Sequence, residues 1–400
     1  MLLIAAILAV LLIAKLFGEL ANRFGFPSVI GELSAGVFIG PVLLWLYGIT
    51  GIEQLAAIPN FVIGNPIFQV FSDLGIFFLM ILAGMEMSLD ELLKVKYRAF
   101  VVTSGGVILS FILGYAVGAY YKLPFLENFF LASFFTVTAV AVCVKLLLDL
   151  NLLRSRIGYT IVTAATVDDV IGMFLLTVLI AMSKGTVTAL NFAILLGKVV
   201  LFFFVFLGVG RYLMFNFIHI SRKMKSSEAV FTMALVGGLL IGIAAEAVGL
   251  SMIIGAFIAG LLIREATLYT RDGSMIAHRF SGIALGFLAP IFFVWVGLFV
   301  NLHALATNLG FTLLVIIAAL AGKIIGCGGG AWLTGFKKKE ALTIGIGMSA
   351  RGVVGLVILE MGRAAGVIGP TVFSIAVAMA FVTTLITPVL FGRLIKDAKI

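Results

Sequence analysis

Hydrophobic and polar positions alternate in long blocks along the chain, with apolar runs of membrane-spanning length between short polar segments. A helix that crosses the hydrocarbon core of a bilayer needs about 20 mostly apolar residues. The pattern predicts thirteen such helices, called spans 1 to 13 in chain order, over residues 2–22, 28–48, 66–85, 98–121, 126–148, 155–183, 189–218, 227–247, 249–264, 279–300, 308–334, 340–361 and 369–393. We therefore expect an all-α polytopic membrane protein.

The composition supports a membrane protein. Hydrophobic residues make up 62% of the chain and charged residues 11%, whereas soluble domains average about 45–50% and about 25%. These values exclude a soluble enzyme. The two cysteines, Cys143 and Cys327, lie in apolar runs and are expected to stay unpaired. The three histidines lack the spacing of metal ligands, so we expect no resident metal and no other cofactor.

The formal net charge of +9 reflects membrane topology rather than an affinity for nucleic acid. Lys and Arg accumulate in the cytoplasmic loops of membrane proteins. Nineteen of the 27 basic residues lie in the loops after spans 1, 3, 5, 7, 9 and 11 or in the C-terminal tail, and three lie on the opposite side. This bias predicts an outside N-terminus, a cytoplasmic C-terminus and an odd number of spans in the cell inner (cytoplasmic) membrane.

Thirteen spans divide into six, one linker and six, and the two sets of six would enter the membrane from opposite sides. Such inverted repeats are common in secondary transporters. Span 5 contains the small, Thr-rich run 136–142, and its counterpart, span 12, contains the Gly-rich run 345–355. Small residues allow close helix packing or unwinding around a cavity. Two such runs in corresponding positions predict broken helices that cross in the core.

Four charges lie deep in the predicted membrane. Asp168 and Asp169 are adjacent in span 6, about 21 Å from its start at 1.5 Å per residue. Lys323 lies near the middle of span 11, and Arg351 lies in span 12. Ionisable residues at this depth indicate function. Adjacent helical residues point about 100° apart, so we expect one aspartate to pair with Lys323 and the other to face an aqueous cavity, while Arg351 bonds free carbonyls of the broken helix.

This arrangement is suited to exchange of a cation for a proton. A carboxylic acid removed from water keeps its proton at higher pH, and its carboxylate is a hard ligand for a small cation. Competition at one site that opens to either side in turn is sufficient for exchange. Thr138 in span 5 is the candidate for an additional oxygen ligand. Glu32, Asp73 and Glu86 are expected to be structural or interfacial.

The chain resembles the monovalent cation:proton antiporter superfamily, and within its second branch the electrogenic sodium/proton antiporters with an Asp-Asp pair, which are related to glutathione-gated potassium efflux transporters. The motifs that carry the resemblance are Val29-Ile-Gly-Glu-Leu-Ser-Ala-Gly36, Gly84-Met-Glu86, Val167-Asp-Asp-Val170, Gly322-Lys323 and Gly347-Met-Ser-Ala-Arg-Gly352.

The resemblance implies a homodimer with an elevator-type mechanism. Residues 1–90 and 221–302 would form the dimer domain, residues 91–185 and 303–400 a moving core domain, and residues 186–220 a linker helix. It also implies that Asp169 is the shared Na⁺ and H⁺ site, with Asp168 as a second Na⁺ ligand that pairs with Lys323. Val353 stands where relatives usually have an acid.

Three alternatives have different requirements. A K⁺/H⁺ antiporter or potassium efflux protein would differ in cavity size and ligand number, which the sequence does not reveal. An intramembrane aspartyl protease needs two aspartates from different helices that share a proton, whereas Asp168 and Asp169 diverge on one helix. A passive scaffold leaves the four buried charges unexplained. We therefore expect a transporter of Na⁺ (or Li⁺) and H⁺ and not an enzyme.

Overall fold

The computed structural model describes residues 2–87, 97–149, 152, 155–183, 197, 201–202, 205–221, 223–224, 226, 228–248, 250–267 and 272–398, and all regular structure in these residues is helical. Much of predicted span 7, and several of the basic loop residues behind the predicted orientation, lie outside the described residues.

The helices have the following bounds. The first ten are α1 (Leu2–Arg23), α2 (Ser28–Val37), α3 (Leu43–Thr50), α4 (Glu53–Gly64), α5 (Pro66–Glu86), α6 (Tyr97–Tyr120), α7 (Phe125–Thr136), α8 (Val140–Asp149), α9 (Arg156–Ser183) and α10 (Arg211–Ser221). The remainder are α11 (Ala229–Ala247), α12 (Met252–Thr267), α13 (Asp272–Ile283), α14 (Ala289–Leu298), α15 (Leu302–Thr307), α16 (Leu309–Leu333), α17 (Lys338–Gly347), α18 (Val353–Ala364) and α19 (Pro370–Ala398). π-Helical turns at Phe38–Val42 and Ala284–Leu288 join α2 to α3 and α13 to α14.

The chain forms two compact units, and each unit combines two separate stretches of sequence. Unit 1 comprises Met1–Asp90 and Ile180–Phe299, and unit 2 comprises Glu91–Leu179 and Val300–Ile400. Helices α1 to α5 and α10 to α14 belong to unit 1. Helices α6 to α8, most of α9, and α15 to α19 belong to unit 2.

Nine helical segments among the described residues are long and apolar enough to cross a membrane. Spans 5 and 12 are each split into two shorter helices, and span 9 corresponds to the 16-residue helix α12, so these three fall short of the length of a complete span. The count of thirteen spans and the inverted repeat stay predictions. The sequence pattern did not predict α4 or the six-residue helix α15, which lie between spans.

A buried acid in unit 1, Glu32, pairs with a half-exposed lysine, Lys15. Lys15 donates to Glu32 Oε1 over 3.0 Å and to the carbonyl oxygen of Leu285, in a π-helical turn, over 2.8 Å. The Glu32 side chain is buried and that of Lys15 is half exposed. These contacts agree with a structural Glu32. The Lys15 ammonium thereby joins α1 to α2, a contact that the sequence pattern did not predict.

A row of glycines on α16 allows this helix to pack closely against α6 in unit 2. Gly322, Gly326 and Gly330 are spaced four residues apart and therefore lie on one face of the helix. A Cβ at Gly326 would lie 2.4 Å from the carbonyl oxygen of Gly105 on α6, and one at Gly322 would lie 2.8 Å from Ser110 Cα. Small residues allow such close backbone approach between membrane helices. This row of glycines thereby positions Lys323, which follows Gly322.

Substitution of Gly326 by alanine is expected to destabilise the protein, because the added methyl group meets main chain that has no room to move. Overpacking of this kind costs about 1–3 kcal/mol. Gly329→Ala on the same helix is the matched control, since a Cβ there meets no atom within 4 Å, and the change should stay within about 1 kcal/mol. Unfolding of purified protein in detergent measures both effects. Equal stability of the two variants would contradict the packing argument.

Candidate cation and proton site

Two helices of unit 2 are interrupted in the middle, as the small-residue runs predicted. Break 1 covers residues 137–139 between α7 and α8, and break 2 covers residues 348–352 between α17 and α18. The breaks meet directly, since the N–H of Ala139 donates to the carbonyl oxygen of Ala350 over 2.9 Å. Buried backbone groups need such partners within the protein when no lipid group can provide them.

Asp168 lies near the middle of the 28-residue helix α9 and is completely buried. Its Oδ2 atom accepts a hydrogen bond from Thr138 Oγ1 over 2.8 Å. The Lys323 ammonium, also completely buried, contacts the same oxygen. The predicted contact between Asp168 and Lys323 is therefore present. A buried carboxylate and a buried ammonium neutralise each other where neither has water.

Thr138 connects the carboxylate to both breaks. It belongs to break 1, and its hydroxyl oxygen lies 3.1 Å from the carbonyl oxygen of Met348 in break 2 as well as 2.8 Å from Asp168. A hydroxyl has one proton to donate, so it bonds either the carboxylate or the carbonyl at a given moment. The candidate oxygen ligand thus lies at the junction of break 1, break 2 and α9.

Both aspartates are buried. Asp168 is 0% exposed and Asp169 is 7% exposed. The Oδ1 atom of Asp168 is buried, and it accepts no hydrogen bond from any residue that the structure describes. Both contacts of this carboxylate are made by Oδ2, which leaves Oδ1 able to accept a ligand.

Arg351 bonds main-chain carbonyls around the breaks, as expected. Its guanidinium donates to the carbonyl oxygen of Ser349 over 3.0 Å, of Phe135 over 3.0 Å and of Ala319 over 3.2 Å. Phe135 lies in the last turn of α7, and Ser349 lies just beyond α17. A cation near the C-terminal end of a helix is favourable because the free carbonyls are partly negative there.

Sequence reasoning missed Thr384, which holds the main chain of Arg351 from α19. The Thr384 hydroxyl accepts from the N–H of Arg351 over 3.1 Å and donates to its carbonyl oxygen over 2.9 Å. It also missed the contact of Cys143, whose thiol donates to the carbonyl oxygen of Gly347 over 3.1 Å. Both contacts satisfy polar groups at break 2.

The available ligands favour a hard cation. Among the described residues, no group of three or more His, Cys, Asp or Glu side chains has the arrangement of a metal site. The oxygen atoms at this site are those of the Asp168 carboxylate, the Thr138 hydroxyl and the Met348 carbonyl, and the Lys323 ammonium contacts Asp168 Oδ2. Oxygen ligands of this kind suit small hard cations rather than soft transition metals.

Broken helices that meet around buried charges in a many-helix membrane protein are typical of secondary ion transporters. The chain belongs to the sodium/hydrogen exchanger family, because residues 7–396 match the family described as "Sodium/hydrogen exchanger, transmembrane". The resemblance to the cation:proton antiporters found in the sequence motifs is thereby confirmed.

Individual relatives agree with this membership. The Na(+)/H(+)-K(+) antiporter GerN of Bacillus cereus is 32% identical over 380 residues, which cover 95% of this chain and 92% of the relative. The Na(+)/H(+) antiporter of Enterococcus hirae is 29% identical, with coverage of 98% and 97%. The sodium proton antiporter MjNhaP1 of Methanocaldococcus jannaschii has the same fold, with a TM-score of 0.70 at 19% identity and coverage of 98% and 96%.

Removal of one member of the buried ion pair is expected to destabilise the protein strongly. Lys323→Met leaves the Asp168 carboxylate without its cation, and breaking a buried pair in this way costs about 3–5 kcal/mol. The Asp168→Asn/Lys323→Met double variant should recover most of that loss, because neither charge is then left alone. Unfolding in detergent gives the coupling energy from the four proteins. Simple addition of the two single effects would show that the contact has no energetic role.

Proposed function

We propose that the protein exchanges Na⁺ (or Li⁺) for H⁺ across the cytoplasmic membrane as a secondary active transporter. The observation that carries the proposal is the buried Asp168–Lys323 pair beside the junction of two broken helices. Such a pair is costly to bury and adds little to stability compared with apolar residues. Family membership and the printed functions of GerN and of the Enterococcus hirae antiporter support the same activity.

Asp169 is proposed as the group that binds either Na⁺ or a proton. It lies next to Asp168 in α9 and is slightly more accessible than its neighbour. A carboxylate held away from water binds a proton more readily, so the cation and the proton compete for it. Asp168 and the Thr138 hydroxyl would supply further oxygens to the cation.

Lys323 is proposed to couple Na⁺ binding to release of a second proton. The ammonium is stabilised in its buried position by Asp168 Oδ2. A Na⁺ ion that draws the Asp168 carboxylate towards itself weakens that support, and a buried lysine without a carboxylate releases its proton more easily. Two protons, one from Asp169 and one from Lys323, then exchange for one Na⁺, and transport moves net charge.

The movement is proposed to be that of an elevator. All five candidate residues, Thr138, Asp168, Asp169, Lys323 and Arg351, lie in unit 2. A cation cannot cross the hydrocarbon core alone, so the groups that neutralise it must accompany it, or water must reach it. We propose that unit 2 moves with the ion while unit 1 stays fixed and forms a homodimer, with the N-terminus outside and the C-terminus in the cytoplasm. Under this proposal the linker helix lies within residues 186–220.

Asp169→Asn is expected to abolish Na⁺-dependent proton movement, because the amide keeps the size of the side chain and removes its titration. The assay follows proton flux in proteoliposomes after addition of Na⁺, Li⁺ or K⁺. Asp73→Asn is the matched control, since it makes the same change at an exposed acid of unit 1, and it should transport normally.

Normal exchange by a folded Asp169→Asn protein would contradict the assigned role. The same vesicles with the voltage clamped test the proposed charge movement, since net transfer of charge slows exchange when the potential is free to build up. Proton flux driven by K⁺ and not by Na⁺ or Li⁺ would favour a K⁺/H⁺ antiporter.

A disulfide that joins unit 1 to unit 2 is expected to stop transport, because it prevents the ion site from moving. The engineered cysteines are introduced after replacement of the native Cys143 and Cys327, which are both free. A disulfide between α1 and α2, within unit 1, is the control and should leave transport intact. Reduction of the first disulfide should restore flux. Full transport with the inter-unit cross-link complete would instead indicate local gating around a fixed site.

A further inference from the structure

Two arginines from different helices converge on one buried aromatic ring at an end of unit 2. The guanidinium carbon of Arg156, at the start of α9, lies 4.1 Å from the centroid of the Phe336 ring, and that of Arg98, at the start of α6, lies 6.0 Å from it. Arg156 also donates to the carbonyl oxygen of Gly335 over 3.3 Å. Cation–π contacts of this kind hold a guanidinium in place.

The ring itself is fixed by the turn that follows α16. Gly335 has a φ of +87°, which turns the chain and directs Phe336 back into the core of unit 2, where it is 3% exposed. The N–H of Phe336 donates to the carbonyl oxygen of Ala331 over 3.2 Å. Lys337 follows at once and is exposed. Arg98, Arg156 and Lys337 therefore form one exposed group of cations around a rigid ring, called here the basic cluster.

The basic cluster lacks a carboxylate partner for its side chains among the residues that the structure describes. Glu340, three residues after Lys337, uses Oε2 to accept from the main-chain N–H of Lys337 over 2.8 Å, as a cap at the start of α17. The Glu340 carboxylate offsets one positive charge, and the exposed Lys338 adds one. Among the residues that the structure describes, the basic cluster is therefore net positive.

Exposed aromatic residues beside the basic cluster are of the types that concentrate at the level of the lipid headgroups. Tyr97 precedes Arg98 and is 75% exposed, and Trp332, one turn before Phe336, is 57% exposed. Tyr and Trp side chains concentrate where the hydrocarbon core meets water, because each has an apolar body and a polar group. Leu333, beside Trp332, is exposed as well and marks the apolar side of this boundary.

We propose that the basic cluster binds the phosphate of an anionic phospholipid headgroup. Guanidinium groups donate to phosphate in pairs through a planar fork, and lysine adds a positive charge. Basic residues next to the end of a membrane helix attract anionic lipids. Membrane topology explains an excess of Lys and Arg in cytoplasmic loops by their charge alone, without any particular geometry. Two arginines held against one ring, beside interfacial aromatic residues, provide a defined geometry in addition.

The lipid would attach to the unit that carries the candidate ion site. Arg98 and Arg156 lie at the starts of α6 and α9, and Lys337 lies just after the end of α16. These are the three helices that position Asp168 and Lys323. A headgroup on the basic cluster therefore favours the arrangement in which these helix ends lie at the membrane surface. The proposal concerns binding, so it does not depend on which ion is exchanged.

Thermal unfolding and native mass spectrometry of the full chain in detergent test the proposal. Phosphatidylglycerol is expected to raise the unfolding midpoint and to stay bound, whereas phosphatidylcholine with the same acyl chains and inorganic phosphate should do neither. Arg98→Gln/Arg156→Gln/Lys337→Gln should weaken phosphatidylglycerol binding at least about tenfold. The control Arg23→Gln/Lys122→Gln/Lys223→Gln removes the same charge from exposed positions elsewhere and should change binding less than about twofold.

Each remaining outcome decides the question. Equal stabilisation by phosphatidylglycerol and phosphatidylcholine, or equal losses of binding in the two triple variants, would overturn a defined headgroup site. Competition by inorganic phosphate at the same concentration would assign the cluster to a free anion instead. Arg156→Lys, which keeps the charge and removes the stacked fork, covers the case in which the triple variant does not fold. It is expected to weaken binding several-fold, and unchanged binding would overturn the proposal.

Discussion

The cost of a charge in the membrane is the constraint on which the rest of unit 2 depends. Asp168 and Lys323 are both completely buried, and each is tolerable only because the other is in contact with it. Replacing a buried ion pair by well-packed apolar residues of similar volume is often neutral or stabilising. The pair is therefore better explained by what it does than by what it stabilises, and the packing around it serves to keep it together.

The breaks in the two helices bring polar groups to this pair. In an unbroken helix each carbonyl already accepts the N–H four residues further on, so it is less available to a neighbour or an ion than a carbonyl at a break. Break 1 exposes Thr138 to Asp168, and break 2 provides the carbonyl oxygen of Met348 to the same hydroxyl. The carbonyls that become free would be costly in an apolar medium. Arg351 bonds the carbonyl of Ser349 in break 2, that of Phe135 just before break 1 and that of Ala319 in α16. Bonding to carbonyls next to the breaks explains why a second positive charge is buried near the first.

The sequence predicted the parts of this arrangement that conflict with an apolar environment. Charges at positions 168, 169, 323 and 351 stand out in apolar runs, and small residues interrupt bulky helices. Thr384 does not stand out. A threonine in a membrane helix usually bonds the carbonyl one turn before it, as Thr383 does with Met379 over 2.8 Å. Only the fold shows that the Thr384 hydroxyl bonds the main chain of Arg351 instead. The contact of Lys15 with Glu32 was missed for a similar reason, since either side chain alone is an ordinary residue near a helix end.

Electrostatics also limits which motions unit 2 can undergo. Any displacement that carried Asp168 without Lys323 would leave a carboxylate and an ammonium separated in a medium that solvates neither, at a cost of several kcal/mol for each ion. The glycines of α16 allow its main chain to pack directly against that of α6, since a Cβ at Gly326 would lie 2.4 Å from the carbonyl oxygen of Gly105. Thr103 of α6 in turn bonds the carbonyl oxygen of Ala164 in α9 over 3.0 Å. The helix that bears the lysine is thus tied through α6 to the helix that bears the aspartates. The contacts of α6 therefore link α16 and α9 around the buried pair.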